Sequence, residues 1–287
     1  MTESTRNRSG STTSTEREST SARTGMLERA MTLLSAFRPN EVTVSPTTLA
    51  KRAGLSKATG HRIVAEMVNL GMLERTVGGV RIGLRMFEIG QLVPRQRSLR
   101  RCAMPVMQEL RDNTKLSVHL AVLDHGDTLY VDIVSKRQDL PSAVGGRIPA
   151  YATGVGKAML AFSPSDVVSE VMSKRLKRYG PNTITDTEAL RAELAEIRAE
   201  GVSYDREESS RGVACVAAPI RGGDGMLHGG ISLTGHVAEI DYRRLTPIVQ
   251  TAARIVGRRI EQDVVAQQEI AEAMLQATGP KPHLPNP

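Results

Sequence analysis

Apolar and polar positions between Pro46 and Leu84 change period twice, and the changes predict two helices followed by a hairpin. Ser45 before Pro46 is a helix start. Serine caps open N–H groups, and proline loses nothing at the first helical position. Thr47 to Ala53 reads as a short helix, ended by Gly54, which accepts a left-handed turn. Ser56 caps a second helix, Lys57 to Leu70. Its Ile63, Val64, Met67 and Leu70 recur at three- and four-residue spacing and form an apolar stripe. Gly71 stops it. Met72 to Thr76 and Val80 to Leu84 pair as strands across Val77-Gly78-Gly79, where glycine supplies the positive φ of a tight hairpin. Together these elements predict a helix-turn-helix with a two-stranded wing.

The same reading extends along the chain. Residues 1–25 are rich in Ser, Thr, Arg and Glu and predict a disordered tail. Met26 to Phe37 predicts an amphipathic helix with Leu27, Ala30, Met31, Leu34 and Phe37 on one face, ended by Pro39-Asn40. The winged domain therefore spans 26–84. Segment 85–113 predicts a helical linker that pairs two subunits: Arg85 to Val93, an interruption at Pro94, then Gln96 to Asn113 with Leu99, Met104, Met107 and Leu110 apolar. Segment 114–276 alternates strand and helix signals. Strands are expected at Ser117 to Leu123, Thr128 to Val134, Ala143 to Pro149, Val202 to Asp205, Val213 to Ile220 and Leu227 to Thr234. Helices are expected at Thr153 to Phe162, Ser163 to Met172, Thr187 to Ala199 and Asp241 to Leu275. The Pro-rich end, 277–287, is a second expected disordered tail.

Charge changes this picture. Residues 26–101 carry 13 Lys/Arg against 5 Asp/Glu, whereas residues 102–287 carry 21 against 23. The net excess of +7 thus belongs to the helix-turn-helix region, an electrostatic footprint for nucleic acid. Ser56, Lys57, Thr59, Gly60, His61 and Arg62 occupy the first turns of the second helix, the part that reaches base edges in the major groove. Arg75 and Arg81 flank the wing, where phosphate or minor-groove contact is expected. The absence of Trp argues against stacking on single-stranded bases, so the expected partner is double-stranded DNA. Two cysteines give neither a disulfide framework nor a zinc spacing, and His119 and His125 lack the spacing of a helical metal pair. No metal and no cofactor is expected. No apolar run approaches the roughly 18 residues of a membrane span, and the N-terminus lacks an apolar signal core, so a cytoplasmic protein is expected.

Three segments carry a resemblance: Leu55-Ser-Lys-Ala-Thr-Gly-His-Arg62, Tyr151-Ala-Thr-Gly-Val-Gly-Lys-Ala-Met-Leu160, and Gly201-Val-Ser-Tyr-Asp-Arg-Glu-Glu208 running into Cys215-Val-Ala-Ala-Pro-Ile220. The chain resembles the IclR family of bacterial transcription regulators from Met26 to about Val265. The resemblance implies an α+β protein in which a winged helix is joined by a helical linker to a GAF-like α/β effector-binding domain. It also implies a homodimer or dimer of dimers, and an operator response to a small metabolite. The implied effector residues are Gly154, Val155, Asp205, Val213, Cys215, Ser232 and Thr234. Open N–H groups at a helix start suit a carboxylate, and Ser232 and Thr234 face one side of a strand. Asp205 repels an anion unless it meets a hydroxyl or is protonated, so an organic acid that also bears a hydroxyl is expected. Gly60 departs from the family, where a β-branched residue is common.

Two other readings stay open from sequence. A cysteine-dependent enzyme would use Cys215 as nucleophile, His228 or His236 as base and Asp205 as orienter, although no nucleophile signature surrounds Cys215. A thiol redox sensor would use Cys102 and Cys215. A phosphate loop at Gly156-Lys157 fails, because Tyr151 replaces its first glycine and Ala158 its hydroxyl residue.

Overall fold

The computed structural model describes residues 25–38, 41–137 and 139–277. The expected tails, apart from Gly25 and Ala277, and the helix stop at Pro39-Asn40 lie outside the described residues. The chain divides into two compact units, the first ending at Gly90 and the second beginning at Gln91.

The first unit contains α1 (Met26–Leu34), α2 (Pro46–Arg52), α3 (Lys57–Asn69), β1 (Leu73–Thr76), β2 (Gly79–Ile82) and α4 (Leu84–Gly90). Both expected serine caps form: Ser45 Oγ accepts the Thr48 N–H at 3.1 Å and Ser56 Oγ accepts the Thr59 N–H at 3.2 Å. Gly54 turns between the helices at φ 66°. Leu73 pairs with Ile82 and Thr76 with Gly79, leaving Val77-Gly78 as a two-residue turn with Gly78 at φ 90°. Val44 bridges to Val80 on the outer edge of the wing.

Leu33, Leu49, Ile63, Val64, Met67, Leu73 and Val80 form the core. Two expectations fail here. Leu27 and Met31 of α1 are exposed, because the stripe that packs is Ala30, Leu33, Leu34 and Phe37, the same helical spacing begun three residues later. Leu70 is exposed because it caps α3 instead of continuing it.

The second unit contains α5 (Pro94–Thr114), β3 (Ser117–Asp124), β4 (Asp127–Val134), β5 (Arg147–Pro149), a 3₁₀ turn (Ala150–Ala152), α6 (Gly154–Leu160), α7 (Ser165–Ser173), α8 (Thr187–Glu200), β6 (Ser203–Arg206), β7 (Val213–Arg221), β8 (Leu227–His236) and α9 (Tyr242–Ala277). The strands form one sheet in the order β5-β4-β3-β8-β7-β6, every neighbouring pair antiparallel. Strand alternation sorts its two faces. Val118, Leu120, Ala214, Val216, Ile231 and Leu233 pack with α5 and α9. Ala121, Tyr130, Cys215 and Ala217 face α6, where Val155, Ala158 and Met159 meet them.

Segment 85–113 is not one connector. Leu99, Ala103, Val106 and Met107 are buried in the second unit's core, so α5 belongs to that domain. Pro94 starts α5 instead of interrupting a helix, since its missing N–H falls where no bond is made.

Candidate nucleic-acid interface and ligand pocket

On α3 the buried side is Gly60, Ile63, Val64 and Met67, which leaves Lys57, His61 and Arg62 exposed together on the opposite side. Ser56 and Thr59 are tied into the cap, with the Ser56 hydroxyl donating to Thr59 Oγ1 at 2.9 Å. His61 Nε2 lies 3.1 Å from Thr47 Oγ1. Arg75 is exposed, while the Arg81 guanidinium is paired with its cross-strand neighbour Glu74 at 2.7 Å. A polar recess of about 370 Å³ opens beside the start of α3, lined by Arg29, Thr32, Gly54, Ser56 and Thr59. Arg29 is a cationic neighbour that the α3 pattern alone does not find.

Gly60 faces inward. A Cβ there would lie 2.3 Å from the Ala50 Cβ, so the glycine sets the close crossing of α2 and α3 and not the DNA-facing surface. Gly60→Ala gains about 1 kcal/mol of helix propensity but overpacks the crossing, which costs about 1–3 kcal/mol. We expect a net loss of about 1 kcal/mol by urea denaturation. An unchanged or raised midpoint would mean that the crossing relaxes freely.

In the second unit, rows of side chains cross the α6 face of the sheet. Asp205 pairs with Cys215, Cys215 with Thr234, and Ser232 with His119. These residues, with Val155 and Val213, line a cavity of about 20 Å³, room for about one water. Pro141 and Ser142, from the β4–β5 connection, also line it. Ser232 Oγ lies 3.2 Å from Thr234 Oγ1, which lies 3.3 Å from His119 Nδ1; His119 Nε2 lies 3.2 Å from Ser142 Oγ. Asp205 Oδ1 accepts the Glu208 N–H at 2.7 Å, yet burial pushes this carboxyl up from its ordinary value.

Behind the pocket, Lys157 of α6 is wholly buried. Its ammonium donates to Glu193 Oε1 at 2.8 Å and lies 2.8 and 2.7 Å from the two Glu208 oxygens. Burial pushes the Glu208 carboxyl up to about 7, against the pull of Lys157. The start of α6 is closed differently from expectation. Thr153 Oγ1 takes the Gly156 N–H at 3.0 Å and lies 3.0 Å from Thr128 Oγ1. Gly154 does not line the cavity; a Cβ there would lie 2.7 Å from Cys215 Sγ, so it admits α6 to the sheet.

Two family models match the chain: the IclR helix-turn-helix domain over residues 26–76 and the bacterial transcriptional regulator IclR C-terminal domain over residues 91–260. The chain belongs to the IclR family. It is 31% identical to the HTH-type transcriptional regulator KdgR of Escherichia coli, over 75% of this chain and 84% of that one. It is 30% identical to the transcriptional repressor IclR of E. coli, over 77% and 83%. Among solved structures it is similar to an IclR homologue complexed with 4-hydroxybenzoate from Microbacterium hydrocarbonoxydans. That match has 30% identity and a TM-score of 0.76, and covers 83% of this chain and all of that one.

As an IclR member the protein is a ligand-responsive, DNA-binding transcriptional regulator that dimerises, with a helical N-terminal reading region and an α/β C-terminal domain. The cysteine chemistry finds no support in this geometry. Cys215 is buried and burial pushes its thiol far up, away from the thiolate form. Cys102 packs on the opposite face of the sheet. Among the described residues no His/Cys/Asp/Glu cluster suits a metal, and no helix is long and apolar enough to cross a membrane.

His119, Tyr130 and Ser142 are pocket residues that the sequence reading missed. The signal for His119 was a polar residue inside the apolar strand Ser-Val-His-Leu-Ala-Val-Leu, but its place opposite Ser232 depends on a pairing 113 positions away in sequence.

Proposed function

We propose that operator reading belongs to Lys57, Thr59, His61 and Arg62 on α3, with Ser56, Arg75 and Arg81 at the DNA backbone. The winged domain spans 26–84, and the C-terminal domain, GAF-like in its antiparallel sheet and flanking helices, senses the effector through Val155, Asp205, Val213, Cys215, Ser232 and Thr234. One observation supports the sensor assignment above others: these six residues, from four elements spread over 80 positions, line a single cavity. The effector we infer is a small organic acid bearing a hydroxyl. The pocket presents an acceptor, Asp205, beside a run of hydroxyls, and the similar Microbacterium protein is complexed with 4-hydroxybenzoate. Exposed Leu84 and Phe87, one turn apart on α4, offer an apolar face for a second copy, and a dimer or dimer of dimers fits paired half-sites. Effector binding then shifts the balance between states of different operator affinity.

The test separates the two assignments. With DNA from upstream of the protein's own gene, Arg62→Ala is expected to weaken binding by about 5- to 150-fold, the worth of one base contact. Its melting shift with effector should stay unchanged. Asp205→Ala is expected to bind DNA normally and to lose that shift. Normal operator affinity in Arg62→Ala, by fluorescence anisotropy, would remove Arg62 from the reading face.

A further inference from the structure

An acid entering this pocket meets a charge it cannot balance. Among the described residues lining the cavity, none is a lysine or an arginine, and the carboxyl present is Asp205. Lys157 stands two residues from Val155, but Glu193 and Glu208 already hold its ammonium. A carboxylate buried without a cation is strongly disfavoured. One lining group can become a cation, and that is His119.

The surroundings of His119 suit a second ring proton. Nδ1 faces the Thr234 hydroxyl and Nε2 faces the Ser142 hydroxyl. A hydroxyl donates or accepts by rotating, so an imidazolium finds an acceptor on each side. Tyr130 of β4 stands edge-on to the ring at 5.3 Å. The titratable groups facing this space are Tyr130 from β4, Asp205 from β6 and Cys215 from β7; α6, β8 and the β4–β5 connection contribute Val155, Ser232, Thr234 and Ser142, none of them charged.

We propose that His119 is the proton-accepting residue of the effector pocket, and that a carboxylate effector binds together with one proton taken up on its imidazole. The inference rests on the effector-pocket reading above. In this pocket burial holds the imidazole neutral, with its pKa down at about 4. A bound anion beside it acts in the opposite direction. A group whose pKa rises on binding takes up a proton, so affinity for the carboxylate increases as pH falls toward the free value.

The experiment is calorimetric titration of the full chain with 4-hydroxybenzoate, and with the neutral isostere 4-hydroxybenzamide. Buffers of different ionisation enthalpy report the protons exchanged. The expected result is uptake approaching one proton for the acid and none for the amide. Acid affinity should rise by up to about tenfold for each pH unit lowered between pH 7.5 and 5.5. His119→Gln, folded by its melting curve, should abolish the uptake. If that variant binds too weakly for calorimetry, the wild-type His119 ring resonance, identified by its loss in His119→Gln, should move to the imidazolium position with the acid and not with the amide. Acid binding without uptake, or uptake that persists in His119→Gln, overturns the proposal and leaves the pocket reading standing. If 4-hydroxybenzoate, 3-hydroxybenzoate, lactate and succinate all fail to bind, the acid class and this proposal fall together. A melting shift with the amide that Asp205→Ala removes would still support the pocket.

Discussion

Replacing Lys157 with methionine is expected to destabilise the effector domain by about 3–5 kcal/mol at pH 8, the cost of removing one partner from a buried ion pair. Methionine nearly fills the volume but leaves Glu208 enclosed, with its counter-charge gone. The effect should depend on pH in a defined direction. The Glu208 pKa lies at about 7 in the fold against an ordinary value of 4.5. A carboxyl raised in this way gives its full stabilisation below the unfolded value and loses it as pH rises through the folded one. Removing the ammonium raises Glu208 further, so the variant's deficit should be largest at pH 8 and shrink toward pH 6. Urea denaturation at the two pH values checks this. An equal deficit at both would show that ionised Glu208 is not what the lysine stabilises.

Gly156→Ala should be comparably severe for a steric reason. A Cβ at this position would lie 2.3 Å from the Ala150 carbonyl oxygen, 2.4 Å from Thr128 Oγ1 and 2.5 Å from the Ala150 Cα. Two of these atoms are backbone and cannot swing aside, and the third belongs to the hydroxyl pair that holds the Thr153 cap. Overpacking of this kind costs about 3 kcal/mol or more, which is about 6–12 °C of melting temperature for a domain of this size. Gly90→Ala is the matched control, since a Cβ there meets nothing within 4 Å. A melting temperature within two or three degrees of wild type (about 1 kcal/mol) for Gly156→Ala would show that α6 can retreat from the 3₁₀ turn.

What the sequence made legible follows the range of the interactions involved. Ser45, Gly54 and Ser56 are local devices, and each appears where the pattern puts it; the hairpin turn is one residue tighter than expected, with Gly79 paired in the strand. The strands of the second unit also appear near their expected places, except that Ala143 to Pro149 is strand only from Arg147. The face of α1 and the fate of α5 were not. Both depend on which neighbour supplies the opposing surface, and Leu27 and Leu33 have the same chemistry until that is known. The pocket was legible mainly through likeness to a family. His119 reaches it from β3, where strand register sets it opposite Ser232, and Ser142 comes from the β4–β5 connection to lie against His119 Nε2. Gly60 entered the DNA-facing set by its place in the first turns of the second helix, and Gly154 entered the pocket set through the family resemblance. Both instead admit the close approach of a neighbouring element.

The division of β3, β7 and β8 into two faces has a consequence for how such regulators diversify. Val118, Val216 and Leu233 hold the sheet to α5 and α9, while their chain neighbours His119, Cys215 and Thr234 line the cavity on the other face. Adjacent positions therefore answer to different demands. If the cavity is the effector site, as proposed, a lineage exchanges its lining by changing every second residue of three strands, without rewriting the packing that keeps the domain folded.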